Sequence, residues 1–400
     1  MDLRPSFASV DVPLVPNEAP LHPIPGPQSW LGPDLARRPG DWTYSLSKAQ
    51  IVDLRDAIAR AEVAGIGIVD IRPNDFPLPS WDSLLPRLRK DMFEGRGFAV
   101  LRGFPVGELS PLQRCLGYFG IGSYFGVAVS QNAKGHAIGH ICDLGVDDGK
   151  VTGRGYQTNS RLPYHTDSSD IVGLLCIGKS KSGGLSSLVS SVTLYNEMLM
   201  RRPDLVRVLM GPVYRDRREE IPPGQGPWYV IPVFNPYGGR LFTTYVRSTV
   251  QKAQRFAELP RISPELEEAM DFMDRLVDNP AYHLDMDLQP GDIQFVCNHF
   301  VMHSRTSFED DPTRMLRRHL LRLHLACSDG PELPPVYENL RGYNKEGRPA
   351  GLLLQGVRLN VPLEPVDGGP GDPRRRMRDR VEQGRGRARA AEPNDRRAVQ

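Results

Sequence analysis

The hexapeptide Leu162-Pro163-Tyr164-His165-Thr166-Asp167 sets an imidazole and a carboxylate two residues apart in a segment of strand-like composition. Alternate residues of a strand point to one face, so His165 and Asp167 can converge on one ion. A second imidazole, His303 in Val301-Met302-His303-Ser304-Arg305, lies more than a hundred residues further on. Joining the three needs a fold that lays strands distant in sequence side by side, as a jelly-roll barrel does.

A His-x-acid triplet is weak by itself. With 9 His and 48 acids in 400 residues, one is expected about once by chance, and a second, His283-Leu284-Asp285, does occur. Spacing separates the two. His283 stands only 20 residues before His303, room for about one strand pair and no barrel between. The alternating acids Asp285 and Asp287 also fit the solvent side of an exposed strand. The first triplet is therefore the expected metal face. Two imidazoles and one carboxylate leave coordination positions open, the arrangement of non-heme Fe(II) oxygenases, in which an oxidant and a co-substrate fill the open positions.

The stretch Arg318 to Leu325 alternates on a strand-like period, which puts Arg318 and Arg322 on one face. A guanidinium there could grip a carboxylate bidentately. Solvation, or pairing with Glu309, Asp310 and Asp311, is the alternative at this point.

Taken together, these segments resemble the TauD/TfdA (taurine dioxygenase) family of Fe(II)/2-oxoglutarate enzymes. The likeness runs through residues 162–167, Gly183-Gly184-Leu185-Ser186, Gly291-Asp292-Ile293-Gln294-Phe295 leading to Asn298, residues 303–310 and residues 318–322, in matching order and spacing. It covers roughly residues 95–327. The resemblance implies that His165, Asp167 and His303 hold the iron. It implies that Arg322 clamps the distal carboxylate of 2-oxoglutarate, with Ser186 where the family often has a threonine. Arg318 would then serve the oxoacid end or the substrate. Fe(II), 2-oxoglutarate and O2 are the cofactor and co-substrates implied, and succinate and CO2 the by-products. Because Asp167 keeps a carboxylate where halogenases need an open iron site, hydroxylation is the expected outcome, although desaturation, epoxidation and ring closure use the same face. The substrate expected from the likeness is a small polar acid: an amino acid, a sulfonate or another carboxylate. Arg215, Arg247 and Arg318 are candidate binders for it. Two other classes stay open: a cupin-like metalloenzyme without 2-oxoglutarate, and a non-catalytic binding protein on the same barrel.

Composition adds boundaries. Hydrophobic content of 40% and a charged fraction of 24% are ordinary for a soluble globular chain. The net charge of +2 hides an asymmetry, because residues 371–400 carry ten arginines and five acids and leave the remainder near −3. Nucleic acid is therefore not an expected partner of the folded part. Cysteines 115, 142, 176, 297 and 327 are odd in number and widely spaced, which suggests reduced buried thiols. With no apparent signal peptide or membrane-spanning run, the expected location is cytoplasmic.

The expected organisation is an extended, proline-rich arm over 1–45, a single catalytic domain over 46–365 with a jelly-roll core near 97–327, and a disordered Arg/Gly-rich tail over 366–400. Trp30 and Trp42 suggest that the arm packs on the body. Helices are predicted at 48–64, within 81–94, at 109–119, from Leu194 to Arg202 behind a Thr193 cap, and from Pro264 behind Ser263. Strands are predicted at 66–71, 97–103, 171–177, 185–192, 281–287, 291–297 and 315–327, with a hairpin joining 228–234 to 240–245. The glycine-rich stretch 120–160 is expected to cover the barrel mouth, with His136, His140, Tyr156, Gln157 and Asn159 as pocket candidates. The fold class is thus a double-stranded β-helix flanked by helices.

Overall fold

Alternation decides which way each strand faces, and two sheets built on it form a double-stranded β-helix, the jelly roll. The structure is a computed structural model that describes residues 21–146, 149, 153–222, 224–311, 317–352 and 354–366. The first 20 residues of the arm and the Arg/Gly-rich tail from 367 onward lie outside the described residues.

In chain order the strands of the two sheets are β1 (Thr43–Ser45), β2 (Phe98–Arg102), β3 (Val127–Ala128), β4 (Ile138–Ile141), β5 (Leu162–His165), β6 (Ile171–Gly178), β7 (Ser186–Ser190), β8 (Leu284–Met286), β9 (Asp292–Cys297), β10 (Val301–Arg305) and β11 (His319–Ala326). The major sheet runs β1-β2-β9-β6-β11-β3, with β4 on β11 as well. The minor sheet runs β8-β7-β10-β5. β11, late in the chain, pairs with β6, some 150 residues earlier, and β10 pairs with both β5 and β7. These long-range pairings are what the separation of His165 from His303 demanded.

The two faces of β11 show the logic. Arg322 and His324 point between the sheets, where both reach Asp167. Leu323 and Leu325 point outward onto the helix Pro111–Ser123, and a Cβ at Gly122 of that helix would stand 2.3 Å from Leu323. The helix is started by Ser110, whose Oγ accepts from the Gln113 N–H while Gln113 answers the Ser110 N–H. It packs beside Lys48–Val63, which Ser47 and Gln50 cap in the same way. A second apolar cluster lies behind the minor sheet, where Val189 and Met302 meet the helices Ser191–Arg201, Pro203–Leu209 and Pro264–Val277. The described part of the arm does pack. Leu21 and Ile24 lean on this second cluster, Trp30 meets Phe98 edge-on at 5.4 Å, Trp42 lies 5.9 Å from the same ring, and β1 joins the major sheet.

Four expectations change. Ile66 to Ile71 is no strand: Ile68–Asp70 is a 3-10 turn, preceded by Gly65 and Gly67 and followed by a second such turn at Pro73–Asp75, and the apolar side chains of this stretch pack on the main core without pairing. Ser190, not Thr193, caps the next helix, so β7 ends and the helix begins earlier than expected. The Ser190 Oγ accepts from the Thr193 N–H while the Thr193 hydroxyl donates to the Trp30 carbonyl. The hairpin is shorter, Phe234–Tyr237 with Arg240–Thr243, because Pro232 interrupts the run; Trp228–Val230 pairs instead with Tyr214–Asp216. The stretch 120–160 is more than a cover, since it supplies β3 and β4 to the major sheet.

The tight seat of helix on strand gives a test. Gly122→Val should destabilise the protein by about 1–3 kcal/mol, the usual cost of overpacking, read as a lower urea midpoint. An unchanged midpoint would mean that the helix does not rest on β11 as described.

Candidate active site

β5 and β10 are antiparallel neighbours, and their register sets His165 directly opposite His303. The two rings lie 4.3 Å apart, centre to centre. Asp167 follows two residues after His165, where the chain leaves β5. Its backbone N–H donates to Asn298 Oδ1 at 3.0 Å, and Thr166 is tied to Tyr245 through both backbone and hydroxyl. The carboxylate therefore swings back toward the imidazoles. His165 Nε2 is 3.9 Å and His303 Nε2 3.5 Å from the Asp167 oxygens. Among the described residues, these three form the one group of such side chains whose donor atoms all lie within 4.8 Å of one another.

The donor set suits a divalent ion. His165 Nδ1 is 2.8 Å from the Pro163 carbonyl, which fixes that nitrogen as the proton carrier and leaves Nε2 with a lone pair. Burial, helped by the neighbouring His303, pulls the His165 pKa down to about 3, so its ring is neutral at neutral pH. Burial alone would push the Asp167 carboxyl up. Arg322 and His324 beside it overturn that and hold it well below the usual carboxylate range. A neutral His165 ring and an ionised Asp167 carboxylate are the protonation states in which these groups can ligate iron.

The second triplet does not join this face. Asp285 pairs across from Ser187 and points to the side of the minor sheet away from His303, where it accepts from the Ser187 hydroxyl at 2.5 Å. His283 Nδ1 turns to the Val277 carbonyl.

The other expected residues divide. Arg322 reaches the metal face itself: Nη1 is 3.2 Å from Asp167 Oδ2, Nε donates to Gln131 Oε1 at 2.7 Å, and the guanidinium stacks on Tyr156 at 4.5 Å. Arg318 lies at the other end of this stretch. Its Nε and Nη2 donate to the Gly184 carbonyl, and its buried Nη1 has no hydrogen-bond partner among the described residues. Ser186 faces the barrel interior and donates to Gln294 across the gap between the sheets. Arg305, passed over in the sequence, is as notable as Arg318. Its Nε and Nη1 are buried and lack partners among the described residues, and both guanidinium groups lie about 5 Å from the Phe308 ring. Burial pulls the pKa of each down to about 10.

Of the mouth residues, Tyr156 lines the main cavity, whereas His136, His140 and Gln157 border a separate small one. Asn159 contributes its carbonyl to Phe308. Of the other arginines, Arg215 is buried on the carbonyl of Thr244 and serves the fold. Arg247 borders the main cavity but is saturated by Glu267, Asp271 and Asp274. The cavity, of about 430 Å³, opens on His165 and Asp167.

The model of the family described as taurine catabolism dioxygenase TauD, TfdA family matches residues 61–324. The chain belongs to the TauD/TfdA family. It is accordingly an Fe(II)/2-oxoglutarate-dependent dioxygenase, with O2 as the second co-substrate. It is similar to FR-33289 synthase of Streptomyces rubellomurinus, 31% identical over 318 residues, which cover 78% of this chain and 93% of that protein. The taurine hydroxylase-like protein SAT17 of Stachybotrys chartarum is 29% identical over 305 residues, covering 74% and 77%. In fold it matches a crystal structure of asparagine oxygenase with a TM-score of 0.57 at 16% identity, over 78% of this chain and 98% of that one.

The geometry separates the two triplets by experiment. His165→Ala and Asp167→Ala should each lose most bound Fe(II) and succinate production, with Asp167→Ala the milder if water fills its position. His283→Ala and Asp285→Ala should retain both. Iron content of the reconstituted variants decides, and loss in the Asp285 variant with retention in the Asp167 variant would contradict the site.

Proposed function

We propose that the chain oxidises, by hydroxylation, a C–H bond of a small polar acid held in the cavity beside His165 and Asp167. What carries this reading is the cavity itself, bordered by Arg154, Arg218, Arg322 and Arg341 next to a two-imidazole, one-carboxylate face. A low-dielectric pocket rich in guanidinium favours an anion and disfavours a neutral or cationic substrate. Iron would be held by His165, Asp167 and His303. When bound, iron with 2-oxoglutarate and O2 supplies the oxidant, and 2-oxoglutarate leaves as succinate and CO2.

The chain's own residues then position and shield. Asp167 is kept anionic by Arg322 and His324, and Asn298 holds its backbone. The ordinary carboxylate ligand at this position favours hydroxylation. The roles of the two arginines are exchanged relative to the sequence expectation: Arg318, with Arg305 beside it, takes the distal carboxylate of 2-oxoglutarate, and Arg322 stays at the metal face. Two methylenes separate that carboxylate from the chelating end, so its partner must stand clear of the ligands. Arg322 at 3.2 Å from Asp167 does not; Arg318, with a buried unpartnered Nη1, offers the unsatisfied charge that a carboxylate would complete. Ser186 remains near that end as a secondary contact. Among the described residues no helix is long and apolar enough to cross a membrane, and the five buried thiols favour a reducing, cytoplasmic setting.

Removing Arg318 should weaken 2-oxoglutarate binding by about 2–5 kcal/mol, as losing one side of a buried charge pair does, while Fe(II) still binds. Arg322→Ala should cost 2-oxoglutarate less and Fe(II) more. Anaerobic 2-oxoglutarate titration of the Fe(II)-loaded variants reads both; the reverse pattern would return the clamp to Arg322.

A further inference from the structure

Most charges around the cavity are already answered. Arg161 pairs with Asp278, Arg247 with three carboxylates, and Arg322 with Asp167. Three arginines remain on one side: Arg154 from the glycine-rich stretch, Arg218 from the turn after Tyr214–Asp216, and Arg341 from the segment that follows the last barrel strand. Arg217 adjoins them, with its guanidinium over the Tyr229 ring. Their shared acid is Glu220, on which both Arg154 and Arg341 close. The neighbouring acids are spent elsewhere, Asp216 in a two-point pair with Arg255 and Glu219 near the same arginine.

The cluster is buried as well as crowded. Arg341 is 9% exposed. Among the described residues, its Nε, the Arg218 Nε, and the Arg217 Nε and Nη1 are buried without hydrogen-bond partners. Burial, then repulsion from Arg154, pulls the Arg218 pKa down to about 10, and the same two causes hold that of Arg341 well below the usual guanidinium value. Arg218 and Glu219 also hold left-handed backbone, φ 56° and 63°, a strained conformation for residues with side chains. The turn is pinned by the Arg218 N–H on Asp216. A cluster that served only to join loops would match its arginines with acids. Here Arg154 and Arg341 share the single carboxylate of Glu220, Arg217 and Arg218 make no ion pair among the described residues, and buried like charges repel unless an anion enters.

We propose that Arg154, Arg218 and Arg341 form a subsite for a terminal phospho group, a phosphate monoester or phosphonate, on the substrate. This rests on the reading of the chain as an oxygenase of a small acid, and narrows the acid. A tetrahedral group with three oxygens and nearly two negative charges can take donors from three directions and offset the surplus. A carboxylate or sulfonate brings a single charge. The subsite borders the same cavity as His165 and Asp167, so a substrate anchored there presents its carbon skeleton to the metal face. Arg154 and Arg218 lie within the family-matched residues 61–324 and Arg341 beyond them.

Calorimetric titration of the full chain at pH 7.5 with methyl phosphate, methylphosphonate, methanesulfonate and acetate tests the subsite. At least one of the two phosphorus anions should bind one site per chain at least about tenfold tighter than methanesulfonate, and Arg341→Gln and Arg154→Gln should each weaken it by about tenfold or more, the loss of one charge-assisted contact. The stronger of the two phosphorus arms tells ester from phosphonate. Arg154, on a loop, keeps the test open if Arg341→Gln fails to fold. No preference over methanesulfonate, or folded variants that bind as the parent does, would overturn the proposal. Succinate release by the parent chain with Fe(II), 2-oxoglutarate and O2 reads the oxygenase function separately. Release without phosphorus preference sinks only the subsite; preference without release supports the subsite and sinks the oxygenase reading.

Discussion

The Asp167 carboxylate is the point on which the site turns. Half-buried between two sheets at the edge of the cavity, it would be expensive to ionise alone. Arg322 and His324 from β11, with a hydrogen bond from His303, make ionisation favourable. Each of these partners sits where it does because of strand register: His303 faces His165 across β10 and β5, and Arg322 and His324 share one face of β11. Displacing any of these strands by one residue would turn its ligand or counter-charge to the outer face. The pairings β10–β5 and β11–β6 are thus as much a part of the proposed metal site as its candidate ligands.

Much of this was legible in the chain. The His165–Asp167 period of two, the long gap to His303 and the alternation of Arg322-Leu323-His324-Leu325 are local or simply spaced signals, and they translate directly into strand faces. Caps at Ser47 and Ser263 are equally local. Where expectation failed, the deciding contact was remote. The apolar run at 66–71 reads like a strand until the helices it packs on are known, and Pro232 cut a run whose first half found Tyr214–Asp216 instead of its own hairpin. The proposed exchange of the two arginine roles rests on a contact of the same remote kind. Spacing puts Arg318 and Arg322 on one face but says nothing of Asp167 3.2 Å from one of them.

The cationic subsite lies furthest from what periodicity reveals. Arg154, Arg218 and Arg341 come from three separate segments, two of them loops, and no local pattern links them. Their surplus charge emerges only once Asp216, Asp274 and Asp278 are seen to be paired elsewhere. The division is physical: the barrel fixes the metal face through register, whereas loops and the C-terminal segment furnish the walls that choose a substrate.

The most direct test of the central claim is an anaerobic titration of the purified chain with Fe(II) and then 2-oxoglutarate, followed in the visible. One iron per chain and a weak charge-transfer band that grows to a one-to-one ratio with 2-oxoglutarate are expected, because three protein ligands on one face leave two adjacent positions for a chelating oxoacid. Iron bound without that band, or no iron bound at all, would contradict the account.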